Sequence, residues 1–254
     1  MWKRAVLRSL VVVLALTLLS CASTKEKIKK EKDRADIYYN LAEIYFGERK
    51  FPAALEQLTQ AVEIIDNDPN YYHLLGLTYF ASRKYNKAIF YFEKTVKLKS
   101  DFSEAHMNYG AVYIELKSWD KALPHFKEAL KNPFYRSQEL AHNNVGWVYY
   151  NKGLYGKAVS SFTRAIEINA NYAMAFNNKG LAFEKLTRLG EAKEAYETSI
   201  KVDPLFIEGY YNLGVLLVRM KNTKDALKIF EKIINIDPGN PRARSTREYT
   251  DLIK

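Results

Sequence analysis

A single cysteine in 254 residues removes two classes of protein at once. No intrachain disulfide can form, and no metal site built from several cysteines can be assembled. Histidine is nearly as scarce. His73, His106, His125 and His142 show neither an HExxH pairing nor any other metal-ligand spacing. Gly153-Leu154-Tyr155-Gly156-Lys157 lacks the spacing and the following hydroxyl of a phosphate-binding loop. Nowhere does the pattern bring a nucleophile, a base and an orienting group together. These absences argue against an enzyme, a metal centre, a bound cofactor and a small-molecule substrate. Long apolar runs are missing too. Leu10 to Leu19 is ten residues, whereas a membrane-crossing helix needs about 20.

What is present is periodic. Gly76, Gly110, Gly146, Gly180 and Gly214 stand 34, 36, 34 and 34 residues apart, with Ala42 one step earlier. Ala54, Ala88, Ala122, Ala158, Ala192 and Ala226 keep the same step, as do Leu58, Phe92, Phe126, Phe162, Tyr196 and Phe230. Three series with one shared irregularity define six repeats: 35–68, 69–102, 103–138, 139–172, 173–206 and 207–240. Within a repeat, Tyr210, Leu213, Gly214 and Leu217 fall at i, i+3, i+4 and i+7, one face of a helix A. Ala226 and Phe230 lie one turn apart on a helix B that stops near Asp237-Pro238-Gly239. Such a hairpin cannot bury its apolar face alone, and stacking supplies the partner. The extra two residues of the third repeat, around Lys131-Asn132-Pro133-Phe134, are expected to alter the packing angle there and divide the array. Residues 241–254 read as a C-terminal capping helix.

The order aromatic, Leu-Gly, Tyr, then Ala, aromatic and Ala, then Pro resembles the tetratricopeptide family over about four fifths of the chain. The resemblance implies an all-α, right-handed superhelical solenoid of six helix-turn-helix repeats with a C-terminal capping helix. Thr95 and Ile233 depart from the small residue expected on helix B, and His106 and His142 replace the aromatic that opens helix A.

Residues 1–20 read as a signal peptide, with Lys3, Arg4 and Arg8 preceding the apolar stretch. Leu18-Leu19-Ser20-Cys21 resembles the lipobox of bacterial lipoproteins, which implies a covalent lipid on Cys21 and a membrane anchor. Ala22 after the cysteine implies outer-membrane sorting, facing the periplasm. Residues 21–34 then form a lipidated cysteine and a charged tether rich in lysine. The formal charge of +10 falls by three when Lys3, Arg4 and Arg8 are removed. A secreted, anchored chain seldom meets nucleic acid, so none is expected as a partner.

Counted from the first residue of each repeat, positions 4, 7, 8 and 11 form the core face of helix A. Positions 6, 9 and 12 lie opposite, where packing within the hairpin gives no reason to be apolar. Yet they carry Phe46, Leu77, Phe80, Ile114, Trp147, Tyr150, Leu181 and Val215. Position 6 is Asn40, Asn108, Asn144, Asn178 and Asn212 in five of six repeats. The family resemblance implies that this side lines a concave groove for a protein partner, since exposed apolar strips mark interaction sites. The amides either face that partner's backbone or bridge to the neighbouring repeat. A lipoprotein with six such repeats looks like the pilotins of type IV pilus systems, which implies an outer-membrane secretin as partner. The alternative is an envelope adaptor for peptidoglycan enzymes.

Overall fold

The computed structural model describes residues 2–253, with side chains described for residues 25–251. Cys21 and the signal peptide expected over 1–20 lie outside the residues whose side chains are described. Among the described residues there are thirteen helices and no strand. Six A/B pairs are α1 (Trp2–Gly47) with α2 (Phe51–Ile64), α3 (Pro69–Ala81) with α4 (Tyr85–Leu98), and α5 (Ser103–Glu115) with α6 (Trp119–Ala129). They continue as α7 (Gln138–Asn151) with α8 (Tyr155–Ile168), α9 (Ala173–Lys185) with α10 (Leu189–Val202), and α11 (Ile207–Arg219) with α12 (Thr223–Ile236). α13 (Pro241–Ile253) follows.

The repeated glycine exists because a ring occupies the space of its missing side chain. A Cβ built on Gly76 would lie 2.7 Å from the Phe92 ring, on Gly110 or Gly146 2.6 Å from Phe126 or Phe162, and on Gly180 2.5 Å from Tyr196. No real side chain tolerates such contacts. The aromatics are fully buried, as are the alanines one turn before them. The first repeat solves the same problem with the opposite pair: Ala42 supplies a methyl group and Leu58 gives up the ring, and both are buried.

Each A–B turn closes in the same way. The N–H of position 16 donates to the carbonyl of position 11, as in Lys84 to Tyr79 at 2.8 Å and Arg188 to Phe183 at 2.9 Å. Position 15 is therefore left-handed, the geometry of a Schellman cap. Only Gly153 meets that demand with glycine; Arg49, Arg83, Lys117, Thr187 and Lys221 adopt φ between 52° and 60° instead. Basic side chains thus recur at one register of the repeat, at the helix end where cations oppose the dipole.

The chain forms two compact units, Met1–Asn108 and Tyr109–Lys254. Their boundary lies inside α5 and not at the long connection after α6, where a division was expected. There Tyr135 is buried, the N–H of Phe134 donates to Asn132 Oδ1 at 2.9 Å, and the Gln138 amide donates to the Pro133 carbonyl at 2.6 Å. The two extra residues are absorbed locally, and α6 still packs on α7.

In the first unit, residues 25–34 continue helically into the first repeat with exposed side chains. Lys32 fixes this run to the array. Its ammonium pairs with Asp68 at 2.8 Å and Asp36 at 3.2 Å, while the Tyr71 hydroxyl donates to Asp36 at 2.6 Å. In the second unit, α13 closes the end. Ala243 and Thr246 are buried, and Tyr249 stacks on Phe230 with centroids 5.8 Å apart.

Gly146→Ala is expected to destabilise the protein by roughly 1–3 kcal/mol through overpacking, although alanine is the better helix former. Adding Phe162→Leu, which reproduces the Ala42/Leu58 pair, should make the double variant more stable than the sum of the single losses allows. Strictly additive losses in urea unfolding would show that the two sites do not share one space.

Candidate functional site

Helix A presents its core face to helix B, so the opposite face is left to line a surface. In the second unit this surface holds a cavity of about 480 Å³. α7 contributes Asn143, Asn144 and Trp147, and α9 contributes Met174, Asn177, Asn178 and Leu181. Phe206 and the α11 residues Glu208 and Asn212 continue the lining, and Arg242 of α13 completes it. Trp147 is half-buried and stacks on Tyr150, with centroids 5.3 Å apart and planes inclined by 8°. This rigid pair gives the groove an aromatic wall.

The amides bridge backwards along the array. Asn178 Nδ2 donates to Asn143 Oδ1 at 3.0 Å, and Asn212 Nδ2 donates to Asn177 Oδ1 at 2.7 Å. In the first unit, Asn108 Nδ2 lies 3.0 Å from His73 Nε2. Position 6 thus donates to position 5 of the repeat before it. Among the described residues the Asn144 side chain makes no hydrogen bond, so its donors are open to another molecule. It stands one turn before Trp147.

The charged end of the groove is balanced. Arg242 Nε donates to both Glu208 oxygens at 3.1 and 3.0 Å, and its guanidinium lies 4.2 Å from the Tyr211 ring centroid. The Glu208 hydrogen bond raises the Arg242 pKa. With this pair closed, the groove offers apolar surface and amides without net charge.

Of the residues expected to line a groove, Asn144, Trp147, Asn178, Leu181 and Asn212 meet at this cavity. Position 12 requires a correction. Phe46 packs on Phe51 at 5.9 Å, Phe80 on Tyr85 at 6.0 Å, and Tyr150 on Tyr155 at 5.5 Å. Packing within the hairpin does give that position a reason to be apolar: it meets the first residue of helix B across the turn. Ile114 is half-buried. Leu77 and Val215 lean on core clusters, and Asn40 is exposed. Sequence reasoning missed Asn143, Asn177, Met174, Phe206, Glu208 and Arg242. The position 5 asparagines and the apolar Met174 at position 2 carried a readable signal; Arg242 did not, because it enters from outside the repeat.

The histidines serve packing. His106 Nε2 lies 2.9 Å from the Ser100 carbonyl, and His125 stacks on Tyr109 at 4.0 Å. Burial pushes the His142 pKa down and that of His73 down to about 4. Among the described residues, no group of three or more His, Cys, Asp or Glu side chains is placed to hold a metal ion.

Stacked helical hairpins with a glycine–aromatic crossing define a protein of the tetratricopeptide class, and family models for tetratricopeptide repeats match residues 33–101, 73–136, 140–172 and 177–241. The chain belongs to the tetratricopeptide repeat family. Among solved structures it is similar to the pilF protein of Pseudomonas aeruginosa, with a TM-score of 0.73 and 16% identity over 87% of this chain and 99% of that one. It is also similar to PilW, a widely conserved type IV pilus biogenesis factor, with a TM-score of 0.76 and 18% identity over 84% and 98%. A third relative in fold is YrrB, a TPR protein with an unusual peptide-binding site, with a TM-score of 0.57 and 23% identity over 75% and 97%. No curated protein matches the sequence.

The bridge from Asn108 to His73 carries a pH dependence. An amide nitrogen can only donate, so His73 Nε2 accepts and the ring is neutral in the fold. An unfolded histidine titrates near 6.5. Its folded value is lower, so this contribution to stability is complete above about pH 6.5 and is lost as pH falls toward 4. His73→Gln should therefore lose less stability than the parent between pH 7 and 4 in urea titrations. Parallel curves would show that His73 is not held neutral by burial.

Proposed function

We propose that the groove beside Trp147 holds a segment of a protein partner, and that the partner is an outer-membrane secretin, the chain acting as its lipid-anchored pilotin. The observation that carries the first half is the pairing of an aromatic wall with Asn144, unbridged among the described residues, at a cavity of about 480 Å³. Centrally placed tryptophans are frequent hot spots of protein interfaces. The likeness in fold to PilF and PilW, over nearly the whole of those chains, supports the second half. So does the lipobox-like Leu18-Leu19-Ser20-Cys21, since lipid chains on Cys21 would hold the repeats at a membrane. A scaffold of this kind positions its partner and needs no catalytic group.

Trp147→Ala and Asn144→Ala are expected to leave helicity and membrane association unchanged. Trp147→Ala should weaken capture of the partner about thirtyfold or more. In cells it should lower the number of secretin multimers and abolish pili, while Cys21→Ala should release a folded protein from the membrane fraction. Normal pili with failed recruitment of wall enzymes would replace the secretin by a peptidoglycan-enzyme partner. Normal secretin assembly by the folded Trp147→Ala protein would remove the groove from the function.

A further inference from the structure

Positions 3 and 10 of helix A are buried in every repeat from the second to the sixth. In repeats 2 and 6, helix B of the preceding repeat covers position 3. Tyr71 at position 3 packs with Ala61, and a side chain added at Gly209, the same position, would meet Ser199 and Ile200. The first repeat has no hairpin before it. Its positions 3 and 10 are Ile37 and Ile44, and these are 65% and 57% exposed. Between them stands Asn40 at position 6, the position whose amide bridges backwards in repeats 3, 5 and 6. The edge therefore carries the apolar pair and the amide of an inter-repeat contact, with nothing against them among the described residues.

We propose that a second copy of this chain covers this edge, the two α1 helices crossing antiparallel about a two-fold axis between Asn40 and Leu41. An isologous contact requires one patch to complement itself, and this patch does. Ile37 of one copy falls opposite Ile44 of the other, at both ends of the contact. The two Asn40 amides meet at the axis, where each can donate and accept, and a single buried asparagine pair fixes the register of such helices. Arg34, which has no ion-pair partner among the described residues, falls beside Glu48 of the other copy, twice, adding a second cation to a carboxylate that Lys50 of its own chain holds at 2.8 Å. The opposite end of the array favours this closed arrangement over a growing chain. α13 covers it and turns Arg244, Arg247 and Glu248 outward, the polar outer face that ends a solenoid.

The test uses the full chain carrying Cys21→Ala, which leaves no other thiol. Sedimentation velocity at tens of micromolar should show a dimer, and Ile44→Asp should weaken it by at least about tenfold. Because Ile44 is exposed in the single chain, that variant should keep the parent's melting temperature at dilutions where the parent is monomeric. Asn40→Cys should form a disulfide-linked dimer on mild oxidation, whereas Asn86→Cys, exposed on α4, should not. A monomer at all concentrations, or a dimer that Ile44→Asp leaves intact, would overturn the proposal. Equal crosslinking from both cysteines would overturn the two-fold at Asn40.

Discussion

Everything in this fold depends on how closely helix A approaches helix B. The contact is a backbone against a ring: five glycines, Gly214 opposite Phe230 among them, lie where any Cβ would come within 2.7 Å of the aromatic side chain opposite. That approach buries the middle of one face of helix A, where the glycines lie, and stacking on the next hairpin buries its flanks. In the second unit one strip of each of α7, α9 and α11 is left over, and the groove is made from those strips. The surface that can bind is therefore a by-product of the packing that folds the chain, repeated once per hairpin.

Repetition alone would make every repeat equivalent, and the differences between repeats create the site. Bridging amides need an oxygen or nitrogen acceptor one repeat back, which Asn143, Asn177 and His73 supply. Asn144 makes no such bridge among the described residues, and it stands one turn before Trp147. At the other end of the groove, Arg242 arrives from the capping helix and neutralises Glu208. The result is a neutral cavity with an aromatic wall. Such a cavity suits a largely uncharged segment better than an acidic tail, because the groove's cation is already paired.

The glycine, alanine and aromatic series were legible from spacing alone, because close approach leaves a fixed mark on residue size. The A/B hairpins and the terminal helix followed from them. The amide bridges were legible only as one of two alternatives, since their partners lie 35 residues away and a helical wheel compares neighbours within one helix. The packing of Phe46, Phe80 and Tyr150 on Phe51, Tyr85 and Tyr155 was not legible, because a wheel omits the turn that brings helix B back beside helix A. The left-handed turn residues escaped notice because Arg83, Lys117 and Thr187 stand where glycine would have announced the geometry.

The central claim, that the partner lies in the groove beside Trp147, is tested most directly by crosslinking from a single position in living cells. A photoreactive benzophenone amino acid placed at residue 147 should capture the partner on illumination, and one placed at Arg164, exposed on helix α8, should not. Capture from residue 164 with none from residue 147, in proteins of equal abundance, would contradict the account.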